Sequence, residues 1–484
     1  MTSLRDRALG WAGPVAVTAL GGWLRLKDLG HPKAFVFDET YYAKDAYSLL
    51  QFGYERSAVD GADEKILEAA DPSTVEIFTN DASFVVHPPA GKWIIAAGEA
   101  VFGMNPYGWR IAVAILGTLS ILILARAVRR MTGGEIWGTV AGLLLAIDGM
   151  AIVTSRIAIL DGLLMFFVLA TFALLLIDRD RSRNNGWSGH WLRPWRLAAA
   201  VSLGLACSVK WSGLWFVIAF GLLTVAWDAS KRHRSGTPWL RAWLGDGIPT
   251  AITMLSVALI TYLATWYGWF ASSDAWARDV AGIGGPIDSL LSLWDYHVQI
   301  LGFHTNLTTE HAYDSSAFGW LFQARPTSFY YETFQGDAGS CESGDCSEAI
   351  TALGNPIIWW AAVLALLHQI WRWIGRRDWR SAAALTGVAA GWIPWLFYPD
   401  RTIFGFYTIA FTPFMITALT LSLATIANPD PRSGRWTDRR ARQVAVGIFL
   451  LICIGVSWYF YPIWSGEQID QESWSNRMWL PSWV

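Results

Sequence analysis

The sequence predicts an all-α polytopic membrane protein with about eleven transmembrane helices, and three observations support that prediction. Of the 484 residues, 53% are hydrophobic and only 16% are charged, whereas soluble domains average about 25% charged residues. Several apolar runs reach about 20 residues, the length that an α-helix needs to cross roughly 30 Å of hydrocarbon. Basic residues are concentrated in alternate connections between these runs. Together the three observations exclude a disordered, fibrous or ordinary soluble protein.

The predicted spans follow the apolar runs in chain order. They lie near residues 9–26, 108–128, 134–153, 157–177, 196–209, 212–227, 247–270, 355–374, 382–398, 402–426 and 444–464. The fifth and sixth are short, and they are counted separately because the basic residues on either side of the pair should face the same side of the membrane. Arg5 and Arg7 precede the first span and no small-residue cleavage site follows it, which indicates an uncleaved signal anchor.

The distribution of charge predicts the sidedness of the chain. With a cytoplasmic N-terminus, 23 of the 37 basic residues fall in cytoplasmic segments, as the positive-inside rule requires. They lie at positions 5–7, 126–130, 179–196, 231–241, 372–380 and 432–442. Two acidic loops, 27–107 and 271–354, and the C-terminal tail then lie outside. The chain reads as one membrane domain, 1–484, without an internal repeat, and residues 92–101 are predicted to form an interfacial helix.

Ionisable side chains within membrane spans cost about 2.5 to 3.5 kcal/mol each at mid-helix, so their positions are informative. In this layout they gather at the extracytoplasmic ends of the spans. They are Arg110, Asp148, Arg156, Asp161, Lys210 and Arg401. The outer loops add the adjacent carboxylates Asp38 and Glu39, and also Arg325. The pattern predicts one cavity in the outer leaflet that contains carboxylates and several cations.

Such a cavity suits sugar transfer from a lipid-linked phosphate. Arg and Lys bind phosphate, cations stabilise the departing anion, and a carboxylate that acts as general base contributes roughly 10²- to 10⁴-fold. Adjacent carboxylates do not easily bracket one bond as hydrolase pairs do, so Asp38 and Glu39 should have different roles. Structural interpretations of these residues stay open. Asp38 and Glu39 could be a solvated acidic pair, and Arg156 could form an ion pair with Asp148 or Asp161. Lys210 could simply extend its ammonium to the membrane interface.

An ordered series of motifs then points to a family. The motifs are FDETYYAKDA at 37–46, VHPPAGKW at 86–93, GWRI at 108–111, SRIAILDGLL at 155–164, SVKWSGL at 208–214, HAYDSSAFGW at 311–320, ARPTSFYYE at 324–332, GNPIIWW at 354–360 and RTIFGFYTIAFTPF at 401–414. With this series the chain resembles the protein O-mannosyltransferases, which are glycosyltransferases of the GT-C class that use polyprenyl- or dolichyl-phosphate-mannose. The 84 residues of 271–354 cannot hold the MIR domains of eukaryotic members, so the chain resembles the bacterial form.

The resemblance implies transfer of mannose, with inversion, to Ser or Thr of a secreted polypeptide at the outer face of a bacterial plasma membrane. It implies that Asp38 is the general base and that Glu39 orients the acceptor. Basic family positions suggest Arg110 and Arg325, and the SVKWSGL match suggests Lys210. Arg156 is added to them, and donor-phosphate binding by these four residues is our own inference. Structural or substrate-orienting roles are expected for Asp148, Asp161, His311, Tyr313 and Arg401. The family's His-Pro-Tyr element reads His311-Ala312-Tyr313 here, which weakens the carry-over at these positions.

Two other functions stay open at this point. One is a GT-C transferase that uses another lipid-phosphate-linked sugar or a glycolipid acceptor; the other is a transporter, which should show repeated halves and a polar site at the membrane midplane.

The outer histidines lack a zinc-ligand pattern. The acidic loops could hold a divalent cation, although the resemblance suggests no strict requirement for one. No nucleic-acid partner is expected, and a Cys341–Cys346 disulfide is left open.

Overall fold

A computed structural model shows a mostly helical chain. It describes residues 4–185, 191–280, 282–336, 341, 344–428 and 436–484. Some basic residues that entered the prediction of sidedness lie outside the described side chains. They are Arg5, Arg7, Arg183, Arg432 and Arg435.

Helices occupy every predicted span. They are α1 (Leu4–Leu26), α2 (Glu39–Phe52), α3 (Ala62–Glu68), α4 (Ala90–Phe102), α5 (Pro106–Thr132), α6 (Glu135–Ala146), α7 (Gly149–Arg156), α8 (Leu160–Asn185), α9 (Pro194–Val209), α10 (Gly213–Arg234), α11 (Trp239–Thr265), α12 (Tyr267–Ala271), α13 (Gly285–Thr305), α14 (Ala317–Trp320), α15 (Pro356–Arg376), α16 (Trp379–Trp392), α17 (Thr412–Ala427), α18 (Trp436–Phe460), α19 (Pro462–Ser465) and α20 (Gln471–Ser475). Helix α4 covers the segment that was predicted to form an interfacial helix.

Fewer helices than predicted are long and apolar enough to cross a membrane by themselves. Within the described residues six meet that condition, namely α5, α8, α10, α11, α15 and α18. Helices α6 and α7 add a seventh if they form one span, because they are bent by 60° at the break between them. Helices α9 and α17 are apolar but shorter. The predicted count of eleven spans is therefore not confirmed.

The chain is mostly helical, but it also contains two small antiparallel sheets that the all-α prediction did not include. Strand β1 (Arg56–Ala58) pairs with β2 (Phe78–Ala82). Strands β3 (Thr327–Gln335), β4 (Asp345–Ala352) and β5 (Ile469–Asp470) form the second sheet in the order β3-β4-β5. Aromatic and β-branched residues in β3 favour a strand. A disulfide joins Cys341 to Cys346 beside the hairpin, which answers the question that the sequence left open.

A buried charge network links four helices at the end of α8 that is remote from Asp161. Arg193 donates to Asp178 of α8 at 2.9 Å and to Asp228 of α10 at 2.6 Å. Arg196 of α9 also bonds Asp228 and donates to Thr250 of α11 at 2.6 Å. Buried charges are tolerated only when they are paired and hydrogen-bonded. This network therefore holds α8 to α11 in one arrangement.

Loss of one member of this network should destabilise the fold. We expect Asp228→Asn to lower the free energy of unfolding by about 3 kcal/mol, because it leaves excess buried positive charge. Asp180→Asn is the matched control, since its pair with Arg130 is one-third or more exposed on both sides and exposed pairs contribute about 0 to 1 kcal/mol. Thermal unfolding in detergent compares the two variants. Equal melting temperatures would contradict the role given to the network.

Candidate active site

The loop between α1 and α2 places Asp38 through a strained turn at Phe37. Phe37 has a φ of +54°, a left-handed conformation that costs a bulky residue of order 1 to 3 kcal/mol. Its ring is held against those of Phe329 at 5.0 Å, Phe406 at 5.7 Å and Phe404 at 5.8 Å between centroids. This aromatic packing stabilises the turn and fixes the position of Asp38, the residue that precedes α2.

Glu39, the first residue of α2, forms a buried ion pair with Arg110 of α5. Arg110 donates from Nε to Glu39 Oε1 at 2.8 Å and from Nη2 to Oε2 at 2.7 Å, and both side chains are 0% exposed. Glu39 also accepts the backbone N–H groups of Val36 and Ala158. The guanidinium further donates to the carbonyls of Leu29, Pro32 and Ala34. Both groups are thus occupied in holding the loop.

Asp38, in contrast, keeps its carboxylate available. It precedes α2 but makes no side-chain capping bond, and the Tyr42 hydroxyl donates to Oδ2 at 3.4 Å. Burial raises the pKa of Asp38 to about 6, the nearby Lys210 ammonium opposes that rise and the Asp161 carboxylate adds to it. A carboxylate with a pKa close to the working pH is suited to general-base catalysis.

Lys210, directly after α9, pairs with Asp161 in the first turn of α8. The distances from Lys210 Nζ to the two carboxylate oxygens are 2.9 and 3.0 Å. The ammonium also lies 4.0 Å from the centroid of the Tyr407 ring. The sequence motifs SRIAILDGLL and SVKWSGL, far apart in the chain, therefore meet beside Asp38.

A groove of about 500 Å³ opens from this point. Its polar lining consists mainly of His87, Lys210, His304 and Arg401. Its apolar lining comes chiefly from α10, α11 and α13, with Leu214, Trp215, Val217, Ile218, Leu255 and Leu301. The groove has the shape and polarity expected for a ligand with one charged end and a long apolar chain.

Two histidines that the sequence analysis considered only as metal ligands belong to this groove. Their rings lie 5.1 Å apart between centroids. His304 bonds the Val86 carbonyl through Nε2 at 2.9 Å, so that nitrogen carries the proton, and Arg401 donates to the His304 carbonyl at 3.0 Å. Burial lowers the pKa of His304 to about 4, and it lowers the pKa of His87 well below its ordinary value. At pH 7 the positive charge at this end therefore comes from Lys210 and Arg401. The sequence feature that could have indicated a role for His87 in this groove is its place in the VHPPAGKW motif.

The other arginines predicted to bind phosphate lie outside the lining of the groove. Arg156 donates to backbone carbonyls at the end of α1 and to that of Ser465. Arg325 donates to the carbonyls of Ala312, Ser482 and Val484, and Arg110 is held by Glu39 as described above. Because these guanidinium groups already hold backbone carbonyls, we do not carry them forward as phosphate ligands.

The remaining predicted site residues lie in two places. Asp148 caps α7 through the Ala151 N–H and accepts the Trp359 indole N–H at 2.8 Å, so the structure gives it a role in packing. His311 lies against the ring of Phe404 at 5.0 Å and faces Phe37 at 6.1 Å. Tyr313 donates its backbone N–H to His311. His311 and Tyr313 thus border the turn that carries Asp38, on its exposed side.

The acidic loops were also considered as a place for a divalent cation. Among the described residues there is no group of three or more His, Cys, Asp or Glu side chains that could hold a metal ion.

Comparison with known proteins decides the family. The profile "Dolichyl-phosphate-mannose-protein mannosyltransferase" matches residues 15–244, and the profile "C-terminal four TMM region of protein-O-mannosyltransferase" matches residues 290–483. The polyprenol-phosphate-mannose–protein mannosyltransferase of Mycobacterium tuberculosis is 35% identical over 99% of this chain and 92% of its own length. The chain belongs to the protein O-mannosyltransferase family. The enzyme of the same name from Corynebacterium glutamicum is 33% identical over 93% of this chain and 88% of its own.

Solved structures agree with the fold of this mannosyltransferase. The Saccharomyces cerevisiae protein O-mannosyltransferase Pmt1–Pmt2 complex bound to the sugar donor has a TM-score of 0.76 at 15% identity, over 100% of this chain and 93% of that one. ArnT from Cupriavidus metallidurans bound to undecaprenyl phosphate has a TM-score of 0.52 at 16% identity, over 95% and 75%. The mannosyltransferase therefore shares the GT-C fold, as the motifs implied.

The two adjacent carboxylates of this mannosyltransferase should respond differently to neutralisation. We expect Glu39→Gln to lower the free energy of unfolding by about 3 kcal/mol, because it leaves Arg110 buried without its partner. Asp38→Asn should leave the melting temperature unchanged or raise it, because burial disfavours the Asp38 carboxylate. Thermal unfolding of the two variants at pH 7 measures the contrast. A larger loss of stability in Asp38→Asn would contradict the division of roles.

Proposed function

We propose that this protein transfers mannose from polyprenyl-phosphate-mannose to Ser or Thr hydroxyls of secreted polypeptides. The observation that carries the proposal is the position of Asp38 near Lys210, whose ammonium lines the charged end of an otherwise apolar groove. The names of the mycobacterial relatives support the donor and the protein acceptor.

The donor would lie with its phosphate at Lys210 and Arg401 and its isoprenoid chain along the apolar lining. A lysine ammonium binds phosphate as a point charge, and a guanidinium adds directed hydrogen bonds. His87 contributes a neutral ring whose Nδ1 is buried and lacks a hydrogen-bond partner among the described residues. That nitrogen is suited to a hydroxyl or phosphate oxygen of the donor.

The chemistry requires one base and a stabilised leaving group. The acceptor oxygen attacks the anomeric carbon from the face opposite the phosphate, the bond from that carbon to the phosphate oxygen breaks, and the hydroxyl proton passes to Asp38. Mannose is thereby transferred with inversion, and the lipid phosphate departs as an anion. Lys210 and Arg401 stabilise the charge that develops on the phosphate. Glu39 acts as a positioning residue, through Arg110.

The acceptor would approach from the exposed side of Phe37, where His311 and Tyr313 lie. The charge pattern of the sequence supports an extracytoplasmic active site, since the loop that carries Asp38 is acidic and the basic residues lie in the opposite connections. The enzyme would then reside in the plasma membrane of a bacterium and meet polypeptides as they are secreted.

Removal of the base tests the proposal directly. We expect Asp38→Asn to reduce kcat by roughly 10²- to 10⁴-fold, the contribution of a general base. The measurement is transfer of mannose from polyprenyl-phosphate-mannose to a Ser/Thr peptide in proteoliposomes. Donors with other sugars and a glycolipid acceptor serve as comparisons. Full activity of a folded Asp38→Asn variant would eliminate Asp38 as the base, and preference for another donor or acceptor would contradict the assigned substrates.

The pH dependence of the reaction should report the ionisation of Asp38. Only the ionised carboxylate accepts a proton, so kcat/KM should fall as the pH drops through about 6. Tyr42→Phe removes a hydrogen bond that favours the ionised form, and it should therefore move this limb to higher pH. Tyr41→Phe is the matched control, because Tyr41 is 64% exposed. A limb that stays in place in Tyr42→Phe would contradict this assignment.

A further inference from the structure

Strand β3 forms an unpaired edge of its sheet. The strand order is β3-β4-β5, so within the described residues β3 pairs with a neighbour on one side only. Strand β4 is buried over almost its whole length, whereas the second half of β3 is largely exposed. The nine residues of β3 exceed the typical strand length of about five or six. A long exposed edge of this kind is a template for another polypeptide.

The ladder between β3 and β4 shows which backbone groups of β3 point outward. Gly336 donates its N–H to the Gly344 carbonyl at 2.9 Å, in the register of the whole second half of the hairpin. In an antiparallel ladder, residues that bond the partner strand alternate with residues whose N–H and C=O groups point away from it. Counting back by two from Gly336, every second residue bonds β4. The residues between them, which point outward, are Tyr331, Thr333 and Gln335.

This outer edge is open to a further strand. Among the described residues, no other segment forms a backbone hydrogen bond with the three outward-pointing positions. All three residues are exposed. Natural sheets often block such edges with Pro or Lys, but β3 contains neither, and Glu332 is its one charged residue. The N–H and C=O groups of the edge are therefore available to a partner backbone.

The first half of β3 leads to the turn that carries Asp38. A bulge interrupts the register at Phe329, and a bulge of this kind redirects a side chain. The Phe329 ring lies 5.0 Å from that of Phe37, the residue before Asp38. Thr333 lies further along the strand by about 13 Å, at roughly 3.3 Å per residue. A segment that pairs with the outer edge and continues along β3 thus reaches the Phe37 turn within about four residues.

We propose that the acceptor polypeptide binds as an added strand on the outer edge of β3. The inference rests on the proposed function, because it takes the partner to be the chain that receives mannose. The outward N–H and C=O groups match the backbone of an extended polypeptide. Recognition through main-chain atoms leaves most acceptor side chains unread, so segments of different sequence can bind if they are extended. The acceptor hydroxyl then lies at Asp38, and the paired flank begins about two to four residues away.

N-methylated acceptor peptides test the added strand with the wild-type enzyme. An added strand bonds β3 through every second residue, so methylation of those amides removes a hydrogen bond and places a methyl group against the edge. We expect kcat/KM for the peptide to fall at least tenfold at alternate positions of one flank. The positions between them are the matched controls and should stay within twofold. Equal effects at neighbouring positions, or no effect at any position, would overturn the proposal.

A variant of the edge tests the same contact from the side of the enzyme. Thr333→Pro removes an outward N–H, a change that edge strands tolerate. We expect the KM for the peptide to rise at least fivefold and the KM for polyprenyl-phosphate-mannose to stay within twofold. Glu332→Ala is the matched control, because the backbone groups of Glu332 face β4, and it should change neither KM. An unchanged KM for the peptide in Thr333→Pro with a wild-type melting temperature would overturn the proposal. If Thr333→Pro does not fold, the methylated peptides decide.

Hydrogen exchange at single-residue resolution separates this proposal from the proposed function. In the free enzyme we expect the amides of Tyr331, Thr333 and Gln335 to exchange freely, and a saturating Ser/Thr peptide to slow them at least tenfold. The Glu332 amide, which bonds β4, is the internal control and should be protected in both states. Unchanged exchange with peptide would overturn the proposal, as would protection without peptide, which would indicate a second copy on the edge. Protection by peptide in an enzyme that transfers no mannose would count against the proposed function alone.

Discussion

The buried ion pair between Arg110 and Glu39 is the constraint on which the site depends. It ties the first turns of α5 and α2 to the loop between α1 and α2, where neither partner is exposed. A buried pair is stable only if further hydrogen bonds satisfy both charges. The loop supplies three carbonyls and the Val36 N–H, and the connection between α7 and α8 supplies the Ala158 N–H. Asp38, one residue earlier, is therefore held in place without using its own carboxylate. The two neighbouring acids thus differ: the Glu39 carboxylate is engaged in the ion pair, whereas the Asp38 carboxylate accepts a long hydrogen bond from Tyr42 at 3.4 Å.

The groove separates its polar lining from its apolar lining, and the binding proposed for an anion with an apolar chain depends on that separation. Lys210 and Arg401 supply the positive charge, and each is held by other protein groups: Lys210 by Asp161 and the ring of Tyr407, and Arg401 by the carbonyl of His304. The two histidines are neutral at pH 7 because burial lowers their pKa values. They add hydrogen-bonding capacity without adding charge. These contacts lower the desolvation cost of burying the two cations when no phosphate is bound.

Sequence analysis located the helices well, because apolar runs of membrane length leave a strong signal. It also singled out Lys210 and Arg401 as candidates, since charge is rare in such runs, and Asp38 as one of two adjacent carboxylates in the loop that follows the first span. Arg110 and Arg156 were predicted as phosphate ligands in the same way, and the sequence does not show that their guanidinium groups donate to backbone carbonyls. The strands of 327–335 and 345–352 were missed because they lie in a polar loop without clear alternation.

On the proposed function, the cations at the end of the groove also affect the ionisation of Asp38, the proposed base. An anionic phosphate placed near Asp38 disfavours ionisation of its carboxylate, just as Asp161 already does. Without compensation, binding of the donor would protonate the base when it is needed. Lys210 offsets this effect, because its ammonium lowers the pKa of Asp38. The same ammonium also attracts the phosphate. Its pairing with Asp161 keeps it within reach of both. A single ammonium, placed between a carboxylate and a lipid phosphate, can therefore hold the donor and keep Asp38 ionised in the same complex. On the proposed function, this requirement accounts for a lysine near Asp38, since a neutral hydrogen-bond donor could bind the phosphate but would not favour ionisation of Asp38 as a cation does.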